Sequence, residues 1–277
     1  MARQIDHLVI LVPSLETAIP DAITVGFTVV PGGRHASGGT ENALIAFADG
    51  SYIELIAFID PTQPSTNPWY GRVAIGGGFV DYAILSDDVN ADVTRARAQG
   101  VTIEDTWAMG RDRLDGQRVE AVLAMPRHDG LPFVIQDLTP RSLRVPHDPA
   151  EIAHANGAAA ISGVTILVPD LGAAIGQFAA VIGGEASSIE PPLPGIARAA
   201  TILVGPDARQ WICIAEPSTL SGDSGADATI PARYLQQYGA GPFAFTLSTA
   251  SGAEPAPPGA GTLLDPARLG DTRCYLA

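Results

Sequence analysis

Ile5-Asp-His-Leu-Val-Ile-Leu-Val-Pro-Ser-Leu-Glu-Thr-Ala-Ile19 returns 156 positions later as Ile161-Ser-Gly-Val-Thr-Ile-Leu-Val-Pro-Asp-Leu-Gly-Ala-Ala-Ile175. Eight of the fifteen positions are identical: Ile5, Ile10, Leu11, Val12, Pro13, Leu15, Ala18 and Ile19. These are the apolar and turn positions of a strand that enters a helix. His7, an imidazole with ligand and acid–base chemistry, becomes Gly163. A repeat that keeps its core and loses its polar group predicts a duplicated fold with one working half.

Outward from that stretch, the first unit reads as strand, helix and three strands. Residues 5–12 are apolar and β-branched, and Ser14 caps a predicted helix over 15–24. Strands are expected at 27–30, 43–48 and 51–58, with Asp49-Gly50 as a hairpin turn. A weaker shift of 74 generates a second unit. It carries Ile10 onto Ile84 and His7 onto Asp81, predicts Asp88 as a cap with a helix to Gln99, and places strands near 101–104, 117–125 and 132–138. Residues 139–160, with mixed charge and three prolines, read as a crossover. The third unit covers 161–217. The fourth starts at Phe243, and its Gly252–Gly261 stretch is too rich in glycine and proline for a helix. The expected fold is α+β: paired βαβββ modules forming cupped mixed sheets, in two tandem copies. The boundaries are 1–145 for the module with the site and 158–277 for a degenerate second one whose last unit lacks its helix.

Composition narrows the function. The chain has 277 residues, 46% hydrophobic, which suffices for two cores. A net charge of −14 argues against nucleic acid and anionic membranes as partners and says little about a small-molecule ligand, which is the expected partner of a monomer or a homodimer. No apolar run reaches transmembrane length, and the N-terminus has no signal-peptide pattern. Two cysteines, Cys213 and Cys274, form neither a disulfide framework nor a zinc motif, so a cytoplasmic location is expected.

The βαβββ units, together with Ile5-Asp-His-Leu-Val-Ile, Gly33-Arg-His-Ala-Ser-Gly-Gly-Thr-Glu-Asn42, Tyr52-Ile-Glu-Leu55 and Pro132-Phe-Val-Ile-Gln-Asp137, resemble the vicinal oxygen chelate superfamily. That superfamily includes glyoxalase I, extradiol dioxygenases and bleomycin-resistance proteins, and the closer resemblance is to its glyoxalase-like branch. The similarity extends over 5–145 and is architectural over 161–277. It implies a ligand inside the cup and a metal held by the first and last strands of each unit. Here those positions offer His7, Glu54, Asp81 and Gln136. One imidazole, two carboxylates and an amide suit one divalent ion (Mn, Fe, Co, Ni or Mg); the same groups without metal serve as hydrogen-bonding and acid/base residues. Glu54, in an otherwise apolar strand, is the expected general base, with His7 and His35 as further catalytic residues.

The resemblance places the glycine-rich loop 32–42 at the mouth of the cup, where Thr40 and Asn42 would meet substrate. Tyr52, Trp69 and Trp107 are candidate pocket walls. Arg111 and Asp115, in a charged hairpin, are candidate substrate-binding residues, the arginine for holding an anionic or carbonyl-bearing substrate. Surface roles are expected for His128, His147 and His154. The leading function is a lyase, isomerase or dioxygenase acting on a carbonyl or vicinal-oxygen compound. The alternatives are a metal-free sequestering protein and an inactive interaction domain.

Overall fold

The structure, a computed structural model, describes residues 3–35, 38–113, 116–127, 130–219, 226–249 and 254–277; the side chains of Arg111, Asp112 and Pro206 lie outside it. The first sheet is built from β1 (Ile5–Leu11), β2 (Val30–Arg34), β3 (Thr40–Ala46), β4 (Tyr52–Phe58), β5 (Gly78–Leu85), β6 (Trp107–Asp112), β7 (Arg118–Ala124) and β8 (Phe133–Asp137). Their spatial order is β2-β3-β4-β1-β5-β8-β7-β6. The second sheet runs β10-β11-β12-β9-β13-β15-β14. Its strands are β9 (Ala160–Leu167), β10 (Ala186–Ile189), β11 (Ile196–Val204), β12 (Gln210–Pro217), β13 (Gly241–Ser248), β14 (Thr262–Leu263) and β15 (Arg273–Leu276). Both are curled mixed sheets: β1–β4 and β5–β8 pair parallel, as do β9–β12 and β13–β15, and every other pairing is antiparallel.

The helices follow their caps. Ser14, Asp88 and Asp170 stand at equivalent positions and accept from backbone N–H groups at the starts of α1 (Leu15–Thr24), α2 (Val89–Ala98) and α4 (Leu171–Ile182). Among the described residues no α-helix follows β13; a 3-10 turn at Pro266–Leu269 is all that appears there. No described helix is long and apolar enough to cross a membrane.

Strand alternation sends Leu8 and Ile10 to the helix side, and the register shift between Ile5 and His7 brings Ile5 there as well; they share one core with α2, with α4, and with Val164, Ile166 and Phe245 of the second sheet. Phe79 and Phe245 meet edge to face at 5.6 Å between ring centres. The opposite faces form separate interiors, around Val9, Ile56 and Phe133 in the first sheet and around Trp211, Cys213 and Phe243 in the second.

Three sequence expectations change. The second strand begins at Val30 and not at Phe27, so the glycine-rich stretch is an edge strand paired with β3 instead of a free loop. A register break between Pro31 and Gly33 marks a bulge at Gly32. A Cβ built there would lie 2.0 Å from Asn42 Oδ1, so glycine leaves room for that amide. The strand expected at 101–104 is a lone bridge between Ile103 and Pro126, and β6 starts at Trp107. The crossover contains a short helix, α3 (Arg141–Arg144), that belongs to the site.

Candidate functional site

Parallel pairing of β1 with β4 sets His7 beside Tyr52 and Val9 beside Glu54. His7 and Glu54 therefore lie on adjacent strands and one face. The His7 ring stacks on Tyr52 (4.6 Å, 13°) and meets the edge of Phe133 at 5.3 Å. Behind it, His7 Nδ1 is 2.5 Å from Oδ1 of the fully buried Asp6.

Asp6 is the hub of an ion network. Burial alone would raise its carboxyl, but Arg144, aided by Arg141 and the His7 hydrogen bond, holds it well below the usual range. Arg144 uses all five of its N–H donors. Two go to Asp6 at 2.8 Å, two to Asp137 at 2.6 and 3.0 Å, and one to the Tyr52 hydroxyl at 2.8 Å. An ionised Asp6 only accepts, so Nδ1 of His7 is the protonated nitrogen and Nε2 faces the cup. Nε2 lies 3.8 Å from Glu54 Oε2.

Glu54 Oε1 accepts from Asn42 Nδ2 at 2.6 Å and lies 3.3 Å from His35 Nε2. His35 is fixed on its other side by Thr40, 2.7 Å from Nδ1 to Oγ1. Burial pushes the Glu54 carboxyl up. The His35 hydrogen bond and charge, the His7 charge and the Asn42 hydrogen bond outweigh that and bring it to about 2. Glu54 is thus a fixed anion between two imidazoles.

These groups floor a cavity of about 680 Å³. Its walls are largely apolar, with Trp69 and Trp107 on opposite stretches of chain and Met109, Leu123 and Phe133 between them. The structure therefore brings together His7, His35, Thr40, Asn42, Tyr52, Glu54, Trp69 and Trp107. Arg111 pairs through its backbone with Val119, and Asp115 lies outside the described residues, as does His128. His147 is exposed as expected. His154 is not a surface group: it is buried between Phe27 and Phe47, accepts from Thr28 N through Nδ1 and donates through Nε2 to Ala46 O. Sequence reading missed Asp6, Asp137, Arg141 and Arg144. The spacing of Asp137, Arg141 and Arg144, at i, i+4 and i+7 across Pro140, is the signal that points to them.

The four-residue metal set does not assemble. Val9 faces Asp81 and His7 faces Ala83 across β1 and β5, which makes Asp81 the true counterpart of His7. However, Trp69 Nε1 donates to Asp81 Oδ2 at 3.0 Å and Tyr82 N to Oδ1 at 2.8 Å, and burial raises this carboxyl to about 7. Ala83 pairs with Phe133 as Val9 pairs with Glu54, so the fourth position is Phe133 and not Gln136. Gln136 shares its side of β8 with Val134, the helix side, and its Oε1 accepts from Val89 N at the start of α2. Among the described residues no group of three or more His, Cys, Asp or Glu is arranged to hold a metal ion. Of the four expected positions only His7 and Glu54 line the cavity, so that set does not fit the metal that the fold family implies.

In the second sheet Trp211 pairs with Gly163 as Tyr52 pairs with His7. A Cβ on Gly163 would lie 2.2 Å from the Trp211 ring, so the indole fills the space of the lost imidazole. Register puts Cys213 at the counterpart of Glu54, while Ile212 faces the shared core. Side chains of α5 (Ala226–Tyr238), among them Ile230, Tyr234 and Leu235, pack against this face.

Paired strand–helix–strand units curled around a polar-floored cup define the vicinal oxygen chelate superfamily. Within it the chain belongs to the glyoxalase-like domain family, whose sequence model matches residues 5–182. Curated proteins offer no match. Among solved structures, a hypothetical protein from Staphylococcus aureus is similar over 99% of both chains, at 13% identity and a TM-score of 0.67. A mutant of 4-hydroxymandelate synthase from Streptomyces coelicolor aligns over 90% of this chain and 72% of its own, at 14% identity and a TM-score of 0.55. A xylose isomerase-like TIM barrel/4-hydroxyphenylpyruvate dioxygenase fusion protein aligns over 90% and 37%, at 14% identity and a TM-score of 0.52. At such identities the likeness is one of fold.

Proposed function

We propose that this chain is a small-molecule enzyme of lyase or isomerase type, which moves a proton at the carbon next to a carbonyl group inside the cup of module 1–145. Module 158–277 serves as its structural partner. The observation that carries this reading is the meeting of His7 Nε2, Glu54 and His35 Nε2, within 3.8 Å, at the floor of a cavity large enough for a small organic molecule.

Held at about 2, Glu54 is too weak a base to deprotonate carbon at neutral pH, which shifts that role from the carboxylate to an imidazole. His7 is the base. Its Nδ1–H is committed to Asp6, so Nε2 takes the substrate proton, and the charge the ring gains lies between Asp6 and Glu54. His35, held through Nδ1 by Thr40, turns its Nε2–H from Glu54, 3.3 Å away, to the carbonyl oxygen as negative charge builds there. Returning the proton to the neighbouring carbon completes an isomerisation; expelling a leaving group completes an elimination. Dioxygenase chemistry, named for one structural neighbour, would draw on a metal at the four family positions, of which His7 and Glu54 alone reach the cup. A sequestering protein is the second reading, favoured by the apolar walls.

The test is proton NMR in deuterium oxide, with ketones, α-hydroxyketones and hemithioacetals as candidate substrates and a chelator present. Enzyme-dependent loss of the α-proton signal supports proton transfer. Tight binding without exchange supports sequestration.

A further inference from the structure

The charge inventory of the cup carries the reading one step further, to the class of substrate; this step rests on the cup of module 1–145 being the working site. Two described arginines reach the cavity. Arg144 spends all five donors on Asp6, Asp137 and Tyr52. Arg118 donates through Nε to Glu120 at 2.9 Å. Arg141, behind the floor, is bound to Asp6, Asp137 and the Gly50 carbonyl. Each of these cations is met by a carboxylate, while Glu54 contributes an anion of its own to the floor. A carboxylate or phosphate on the substrate would face Glu54, while both described arginines that line the cavity are already met by carboxylates.

The walls point the same way. Trp69 is anchored by Asp81 and presents its ring to the cavity, Trp107 stands 39% exposed at the mouth, and Leu138, 53% exposed, lines it as well. Large apolar side chains left in contact with water at a cavity mouth find cover in an apolar ligand group.

We propose that the substrate is an uncharged carbonyl compound, of the α-hydroxyketone or vicinal-dicarbonyl kind, carrying a bulky apolar group. Its reacting carbon meets His7 Nε2, its carbonyl oxygen meets His35, and its apolar part lies between Trp69 and Trp107.

Two compounds of near-equal size separate the possibilities: phenylacetylcarbinol, a neutral aryl α-hydroxyketone, and phenylpyruvate, an aryl 2-oxo acid. Calorimetric titration of the wild-type chain should show phenylacetylcarbinol binding at least tenfold tighter, and Trp107→Ala should weaken it several-fold. Equal or tighter binding of phenylpyruvate overturns the proposal, and its loss in Arg111→Ala would name the cation responsible. Failure of both compounds to bind overturns it too. The two levels of inference fail separately. Phenylacetylcarbinol that binds but exchanges no proton removes the proposed reaction and leaves the substrate class standing. Proton exchange on phenylpyruvate alone keeps the reaction and removes the class.

Discussion

Replacing Arg144 with methionine tests the physical basis of the site. Methionine keeps an unbranched apolar side chain of comparable reach and removes the guanidinium. Five hydrogen bonds disappear, four of them to carboxylates, and the fully buried Asp6 is left with Arg141 as its one remaining cation. Stranding a buried charge in this way costs about 3–5 kcal/mol. With a urea m-value of about 2–3 kcal/mol/M, the unfolding midpoint falls by about 1–2 M. The penalty depends on pH. Because Asp6 is held below its unfolded value, its contribution to stability is present above about pH 4 and fades as pH falls through the folded value. The gap between wild type and Arg144→Met should narrow below pH 4. Asp6→Asn combined with Arg144→Met should cost less than the two single changes added together, by roughly 1–3 kcal/mol, because removing the buried charge removes the reason for the penalty. Urea melts of the four proteins at pH 7 and pH 3.5 supply the numbers. A loss under about 1 kcal/mol for Arg144→Met, or strictly additive single changes, would show that the network does not hold Asp6 as a buried anion. The tautomer of His7 derived from it would then fall as well.

Glu54 is ordinarily a carboxyl of 4.5 and is held at about 2, so its ionisation contributes about 3 kcal/mol of stability at neutral pH, lost between pH 4.5 and 2. The stability curve of Glu54→Gln should lack that acid limb; an unchanged limb would contradict the assignment. Asp81 shifts the other way, to about 7. Stability should decline as pH rises from about 4 through 7, with a change in Trp69 fluorescence centred near pH 7, and Asp81→Asn should abolish both; a titration that persists in that variant rules out Asp81 as its source. Gly163→Ala drives a methyl group into Trp211 and should cost about 1–3 kcal/mol without altering proton exchange in the first cup. Lost exchange in a folded Gly163→Ala protein would mean that the second cup takes part.

The repeat, the helix caps and the approach of His7 to Glu54 were legible because each rests on local periodicity. Ser14, Asp88 and Asp170 stand where the shifts of 74 and 156 put them, and alternation along β1 and β4 aims His7 and Glu54 into one space. What was not legible depends on register or on distance along the chain. Residues 134 and 136 do share a side of β8, but pairing with β5 makes it the helix side and gives the cup to Phe133. Arg144 lies 138 positions from Asp6, in a segment whose mixed charge resembles that of any solvated crossover. Glycines 32 and 33 suggest a loop until Asn42 is seen to need the missing side chain. The indole of Trp211 over Gly163 explains the loss of the second histidine only once the two strands are paired.

The central claim is that His7, oriented by Asp6 and faced by Glu54, moves a proton in the first cup while the second cup is filled. The most direct test is the rate of solvent deuterium entry into phenylacetylcarbinol, measured by NMR under chelator for wild type, His7→Gln, Glu54→Gln and Cys213→Ala. The account predicts a fall of at least about a hundredfold in the first two variants, the usual scale for a lost acid–base group. It predicts near-wild-type exchange in the third, since Cys213 lies buried at the matching position of the second cup. Full exchange in His7→Gln, or exchange lost in a folded Cys213→Ala protein, would contradict it.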